Sequence, residues 1–194
     1  MRSSIDRELD WFRKLAGKFT VFSGYDGYEI AQVELERGIE ENLSVCEEKR
    51  RGRYATLMLA KNGKEMAMKL IYPKENVRQI PGSPMEEPRQ MQTTEIQSEG
   101  AGKQSWSADD IQNFTKAVGD TNSIHQGEQA IVPGLLMMET MIFELEEKEI
   151  PWKKIKMRFY KPVAAVQPVQ IIRQEEEVSA RTKEEQICWK MWLS

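Results

Sequence analysis

Histidine is nearly missing from this chain: one residue, His125, stands among 194. Proton transfer by an imidazole near neutral pH therefore has a single carrier. Cysteine is almost as scarce. Cys46 and Cys188 sit in unrelated strand-like segments with no metal-ligand spacing, so we expect two buried thiols and no structural metal. No stretch approaches the roughly 20 apolar residues of a membrane helix. The opening residues, Met1 to Asp6, lack the apolar run of a secretory signal, which points to the cytoplasm. With a formal net charge of −3 and interspersed signs, the chain offers no broad basic surface for nucleic acid. Only Lys153, Lys154, Lys156 and Arg158 form a local basic run, and it reads first as a solvated strand face.

What is present suffices to fold. A hydrophobic content of 40% over this length can bury a core in one large or two small domains. Ile5, Leu9, Phe12 and Leu15 recur at helical spacing. Behind them Tyr28 to Glu36, Glu41 to Arg50, Arg53 to Lys61 and Lys64 to Tyr72 read as strands, the last two flanking Asn62-Gly63, a type I′ hairpin signal. Pro81, Gly82, Ser83, Pro84 and Pro88 then interrupt every period. They mark a linker at 76–89 between an N-terminal unit, 1–75, and a C-terminal unit, 90–194. After a helix, the second unit offers Lys154 to Tyr160, Val169 to Ala180 and Gln186 to Leu193, with a turn near Thr182-Lys183-Glu184. The same order recurs, so the N-terminal unit reads as a degenerate repeat that pairs with the other half and carries no visible chemistry.

The chemistry concentrates between Gly119 and Glu139. Ser107-Ala108-Asp109-Asp110 is an N-cap with an acid three positions on, and Ile111, Phe114 and Val118 mark one helix face until Gly119 ends it. Asp120 therefore lies just past a helix end. From Asp120 to His125 runs a short polar turn with Asx chemistry at Asn122, able to fold the carboxylate and the imidazole together. Gly134 opens a second helix, running to about Lys148, that is apolar around most of its circumference at its start and so calls for a sheet around it. Glu139 is the one acid inside the apolar run. It is either an alternative acid/base partner of His125 or a buried, hydrogen-bonded structural acid. The first-turn amides near Gly134 and Leu135 point positive charge at whatever lies against the helix start.

These residues carry a family resemblance. Gly119-Asp120-Thr121-Asn122-Ser123-Ile124-His125 resembles the G-D-x-N-P-I-H signature of the MaoC-like (R)-specific enoyl-CoA hydratases, with Ser123 in place of the proline. The segment from Val132 to Met141, V-P-G-L-L-M-M-E-T-M, resembles the M-P-G-V-L-x-x-E-A-M of the beta-hydroxyacyl-ACP dehydratases. The loop 126–130 is shorter than its MaoC-like counterpart.

The resemblance implies a hotdog fold of the α+β class, an antiparallel sheet wrapped around a central helix, here as a double hotdog built from both units. It implies a hydro-lyase acting on acyl thioesters, with Asp120, His125 and Glu139 as the catalytic set and Asn122, Gly134 and Leu135 holding the substrate. The substrate would be a thioester of CoA or of acyl carrier protein, with no further cofactor and no metal; association of two such subunits stays open. An acyl-CoA thioesterase, or a noncatalytic acyl-thioester-binding protein, is the alternative on the same fold. In either case an acidic carrier or CoA phosphates are the second reading of the Lys153–Arg158 run, after a solvated strand face.

Overall fold

The computed structural model describes residues 9–73, 102–127, 130–175 and 177–194. Helix α1 is Asp10–Gly17, and it buries Phe12 and Leu15 on one face as the spacing requires; Ile5 lies outside the described residues. A 3-10 turn, Lys18–Val21, follows. Strands β1 (Glu29–Arg37), β2 (Val45–Arg51), β3 (Tyr54–Lys61) and β4 (Lys64–Ile71) come next. Asn62 and Gly63 both take positive φ, 52° and 72°, the backbone a two-residue I′ hairpin demands. The expected linker, 76–89, lies outside the described residues.

The second half begins with a three-residue strand, β5 (Gly102–Gln104), too short to register in the sequence pattern. Helix α2 (Ala108–Val118) starts on a complete capping box between Ser107 and Asp110 and stops at Gly119, whose φ of 70° is the left-handed cap. Helix α3 (Gly134–Glu147) follows, then β6 (Lys154–Phe159), β7 (Val169–Arg173), β8 (Glu177–Arg181) and β9 (Ile187–Leu193). The single run expected from Val169 to Ala180 is thus two antiparallel strands: the polar residues after Arg173 break the apolar alternation, and Gln174 N–H donates to Glu177 O at 2.8 Å to close the turn.

Among the described residues the nine strands form one antiparallel sheet in the order β2-β3-β4-β1-β6-β9-β8-β7-β5. Read outward from the central β1–β6 pair, the two halves are β1, β4, β3, β2 and β6, β9, β8, β7, the same order of first, fourth, third and second strand. The sheet encloses α3, whose Leu135, Leu136, Met137, Met138, Met141, Ile142 and Leu145 are buried. Arg37 of β1 and Arg173 of β7 reach across to Glu146 and Glu144 at its far end. A large antiparallel sheet packed around one apolar helix is the hotdog architecture.

One expectation about single side chains changes. Cys188 is buried, but Cys46 is exposed, because β2 is an outermost strand and all but Val45 of it is open to solvent. On β6, a partly exposed strand face, Lys154 lies 3.1 Å from Glu34 and 3.8 Å from Glu36, and Lys156 lies 3.8 Å from Glu34 on the paired strand β1. The glutamates beside Lys154 hold its ammonium above the usual lysine range.

Candidate active site

The polar loop after α2 folds back on itself. Asp120 accepts a hydrogen bond from Asn122 N–H at 3.0 Å, an Asx turn, and Asn122 caps the 3-10 turn Ser123–His125 by accepting from Ile124 N–H. His125 Nδ1 lies 2.7 Å from Ile131 O. A carbonyl only accepts, so Nδ1 carries the hydrogen and Nε2 presents its lone pair. That lone pair faces Asp120 Oδ2 at 3.6 Å, with the imidazole 10% and the carboxylate 32% exposed. Two acceptors this close can share one water set to the side of the line between them, which donates one hydrogen to each.

The N-terminal half grips this loop. Asn122 Oδ1 accepts from Gly27 N–H at 3.0 Å, and its Nδ2 donates to Tyr28 O at 2.9 Å, so its amide is engaged with the backbone just before β1. Gly27 has φ of 75°, and a Cβ there would stand 3.3 Å from the Tyr72 ring. Ser123 N–H and Oγ–H both donate to Asp26 Oδ1, at 3.0 and 3.1 Å. Proline, which stands at this place in the MaoC-like signature, has neither donor, so the serine adds two bonds to Asp26 beside those of Asn122. The Ser123 amide and then its hydroxyl hold the Asp26 carboxyl below the usual carboxylate range.

Asp120, Asn122, His125, Gly134 and Leu135 all line one cavity of about 840 Å³. Pro133 caps α3 without a side-chain hydrogen bond, and Met137 is the first amide to find a carbonyl within the turn, that of Pro133. The amides of Gly134, Leu135 and Leu136 are thus the unpaired donors of the helix start. Gly134 is required for space: a Cβ would meet the Phe159 ring at 3.0 Å. Away from the loop, the cavity wall is Phe19, Phe22, Leu57, Met68, Leu70 and Val118. Five of these six come from the N-terminal half, which sequence reasoning left without a part in the site. Its trace in the sequence is Gly24-Tyr25-Asp26-Gly27, an acid between two glycines ahead of a strand.

Glu139 is not brought to this cavity. Its carboxylate, 8% exposed, takes a bidentate pair from Arg13 of α1, at 2.6 Å from Nε and 2.9 Å from Nη2. Glu139 lies one turn beyond Leu135, about 6 Å further along α3, where it meets Arg13 of α1 instead of the loop. Among the described residues no group of His, Cys, Asp and Glu side chains is placed to hold a metal ion, and no helix is long and apolar enough to cross a membrane.

No protein-family model matches the sequence, and no curated protein matches it. Solved structures do. The chain superposes on HtdX of Mycobacterium tuberculosis with a TM-score of 0.62 at 13% identity, over 94% of this chain and 83% of that one. It superposes on a MaoC-like dehydratase from Phytophthora capsici with a TM-score of 0.53 at 14% identity, over 89% and 70%. An acyl-ACP thioesterase from Bacteroides thetaiotaomicron matches with a TM-score of 0.55 at 11% identity, over 98% and 88%. These likenesses establish the fold.

Proposed function

We propose that this hotdog-fold chain is a hydro-lyase that adds water reversibly across a trans-2-enoyl thioester to give the (R)-3-hydroxyacyl thioester. One observation carries the reading: the lone pair of His125 Nε2 and the carboxylate of Asp120 face each other across 3.6 Å at the polar end of an otherwise apolar cavity, beside the free amides of α3. A water shared by the two acceptors from the cavity side has its oxygen lone pairs turned toward the substrate. As that oxygen bonds to C3, one of its hydrogens passes to Nε2 or Oδ2, and the electrons of the double bond move onto the thioester oxygen. The amides of Gly134 and Leu135 stabilise the enolate. The proton then goes to C2, and C3 keeps the hydroxyl with the other hydrogen. Both groups act from one side, so the addition is syn. The thioester supplies the acidity at C2, and the chemistry calls on no redox group.

The apolar wall of Phe19, Phe22, Leu57, Met68 and Leu70 supports an acyl chain as the occupant of the rest of the cavity. We assign Asn122 to holding the loop, Gly134 and Leu135 to the thioester oxygen, and Glu139 to pairing α3 with α1 rather than to proton transfer.

Hydration of crotonyl-CoA followed in the ultraviolet tests the reading, with thiol release measured in parallel. His125→Ala should lower the hydration rate about 100- to 10,000-fold. Loss of its one hydrogen bond should move the melting temperature by only about 2–4 °C. Thiol release without hydration in the native chain would make the protein a thioesterase, and an unimpaired His125→Ala enzyme would remove the mechanism.

A further inference from the structure

Strand β2 places charge where its neighbours place apolar wall. Residues set opposite each other on paired antiparallel strands point to the same face of the sheet. Glu48 stands opposite Leu57, and Arg50 stands opposite Ala55, which in turn stands opposite Leu70. Leu57 and Leu70 line the cavity, so Glu48 and Arg50 belong to that inner face. Charges on an outermost strand commonly protect its free edge, and the exposed Glu47–Lys49 pair, 3.4 Å apart on the outer face, needs no other reason. Glu48 and Arg50 differ in having a common target, Tyr25.

Glu48 Oε1 accepts from the Tyr25 hydroxyl at 2.5 Å. The Arg50 guanidinium lies 4.4 Å over the same ring, and its Nη2 donates to the carbonyls of Ser23 and Gly24 at 3.4 and 3.5 Å. Burial and then Glu48 hold the Tyr25 phenol above its usual range, so it stays the donor of that bond. Tyr25 O accepts from Tyr28 N–H at 3.1 Å, which joins the ring by a tight turn to Asp26, Gly27 and Tyr28, the residues that grip the loop. Asn122 is the junction beyond that grip. Its N–H donates to Asp120 Oδ1 and its carbonyl accepts from His125 N–H at 3.1 Å, so one residue is bonded to both members of the acid/base pair.

We propose that Arg50 and Glu48 are positioning residues: by holding Tyr25 they fix the segment 23–28, and through Asn122 and Ser123 they keep Asp120 and His125 at the spacing that lets the two share one water. The inference rests on the hydration reading above and extends it to a strand that buries no side chain of its own. Small displacements matter here, because both acceptors must meet the same water, and a misplacement of about 1 Å can cost about 100-fold in rate. The Arg50 side chain is 43% exposed and its contacts are spread over two carbonyls and a ring, so its removal should loosen the segment without unfolding the chain.

The test uses the full chain and its single histidine, whose imidazole Cε1–H gives one proton NMR signal. Without substrate, Arg50→Ala should shift or broaden that signal. Arg50→Lys keeps a cation over the ring and donors for the carbonyls, and should return the signal toward its native position. With crotonyl-CoA, Arg50→Ala should lower kcat about 10-fold while KM changes less than about 2-fold. In an Asp26→Ala background, where one arm of the path is already cut, the same substitution should cost less than it does in the native chain. A native imidazole signal with native kcat in Arg50→Ala would overturn the proposal. So would a rise in KM at unchanged kcat, or Asp26→Ala and Arg50→Ala effects that simply multiply. If the signal moves and lysine restores it, yet the native chain does not hydrate crotonyl-CoA, the positioning of the pair stands and the hydration reading falls.

Discussion

Glu139 and Asp120 are both acids within reach of the same histidine in sequence, and their surroundings give them different work. Glu139 is saturated by a bidentate guanidinium, whereas Asp120 leaves Oδ2 directed at His125 Nε2 across the open end of a cavity. Asp120→Asn is nearly isosteric and should cut the hydration rate at least 100-fold by removing an acceptor from the bound water. Glu139→Gln keeps an acceptor for Arg13 and should alter the rate only a few-fold, its effect falling on stability instead. Steady-state rates of the two variants decide the matter; the reverse ranking would move the chemistry to Glu139. A second residue stores strain. Val166, β-branched and 71% exposed, sits at φ 57°, where only residues without a branched Cβ are at ease. Val166→Gly loses little apolar contact and should gain about 1 kcal/mol, a rise of about 2–4 °C in melting temperature.

At the scale of elements, both helices that frame the site were legible because their ends are chemically marked. Ser107 with Asp110, Gly119, and Pro133-Gly134 are local signals that need no tertiary contact to be read. The four N-terminal strands were legible for the same reason, through alternation and Asn62-Gly63. The split of Val169–Arg173 from Glu177–Arg181 was not, because a tight polar turn between two short apolar strands leaves the overall β composition unchanged. Nor was the segment 22–28, whose value lies in contacts nearly a hundred residues away in sequence. Asp26→Ala should release Ser123 and lower the hydration rate several-fold. The Asp26 carboxyl is depressed in the folded chain, so its contribution to stability is present above the ordinary carboxylate value and is lost as pH falls through the lowered one. The melting-temperature difference between native chain and variant should accordingly be full at pH 7 and shrink below about pH 4.

For the whole molecule, the β1–β6 junction is the seam. Five residue pairs, from Gln32–Arg158 to Glu36–Lys154, join the two halves into one sheet. A fragment beginning near Gln90 would leave β6 with an unpaired edge and strip the cavity of Phe19, Phe22, Leu57, Met68 and Leu70. It should be insoluble or self-associate, as size-exclusion chromatography would show. A monomeric, active fragment would instead make the N-terminal half an independent unit.

The repeated strand order on either side of that seam bears on how such a protein can change. In an assembly of two identical copies, any mutation that reshapes an acyl-lining wall is written into both copies at once, including the one whose loop must do chemistry. Here the cavity-wall residues Leu57 and Met68 and the proposed acid/base pair Asp120 and His125 are encoded separately, so selection, or a mutagenesis library, can vary the first set while leaving the second untouched.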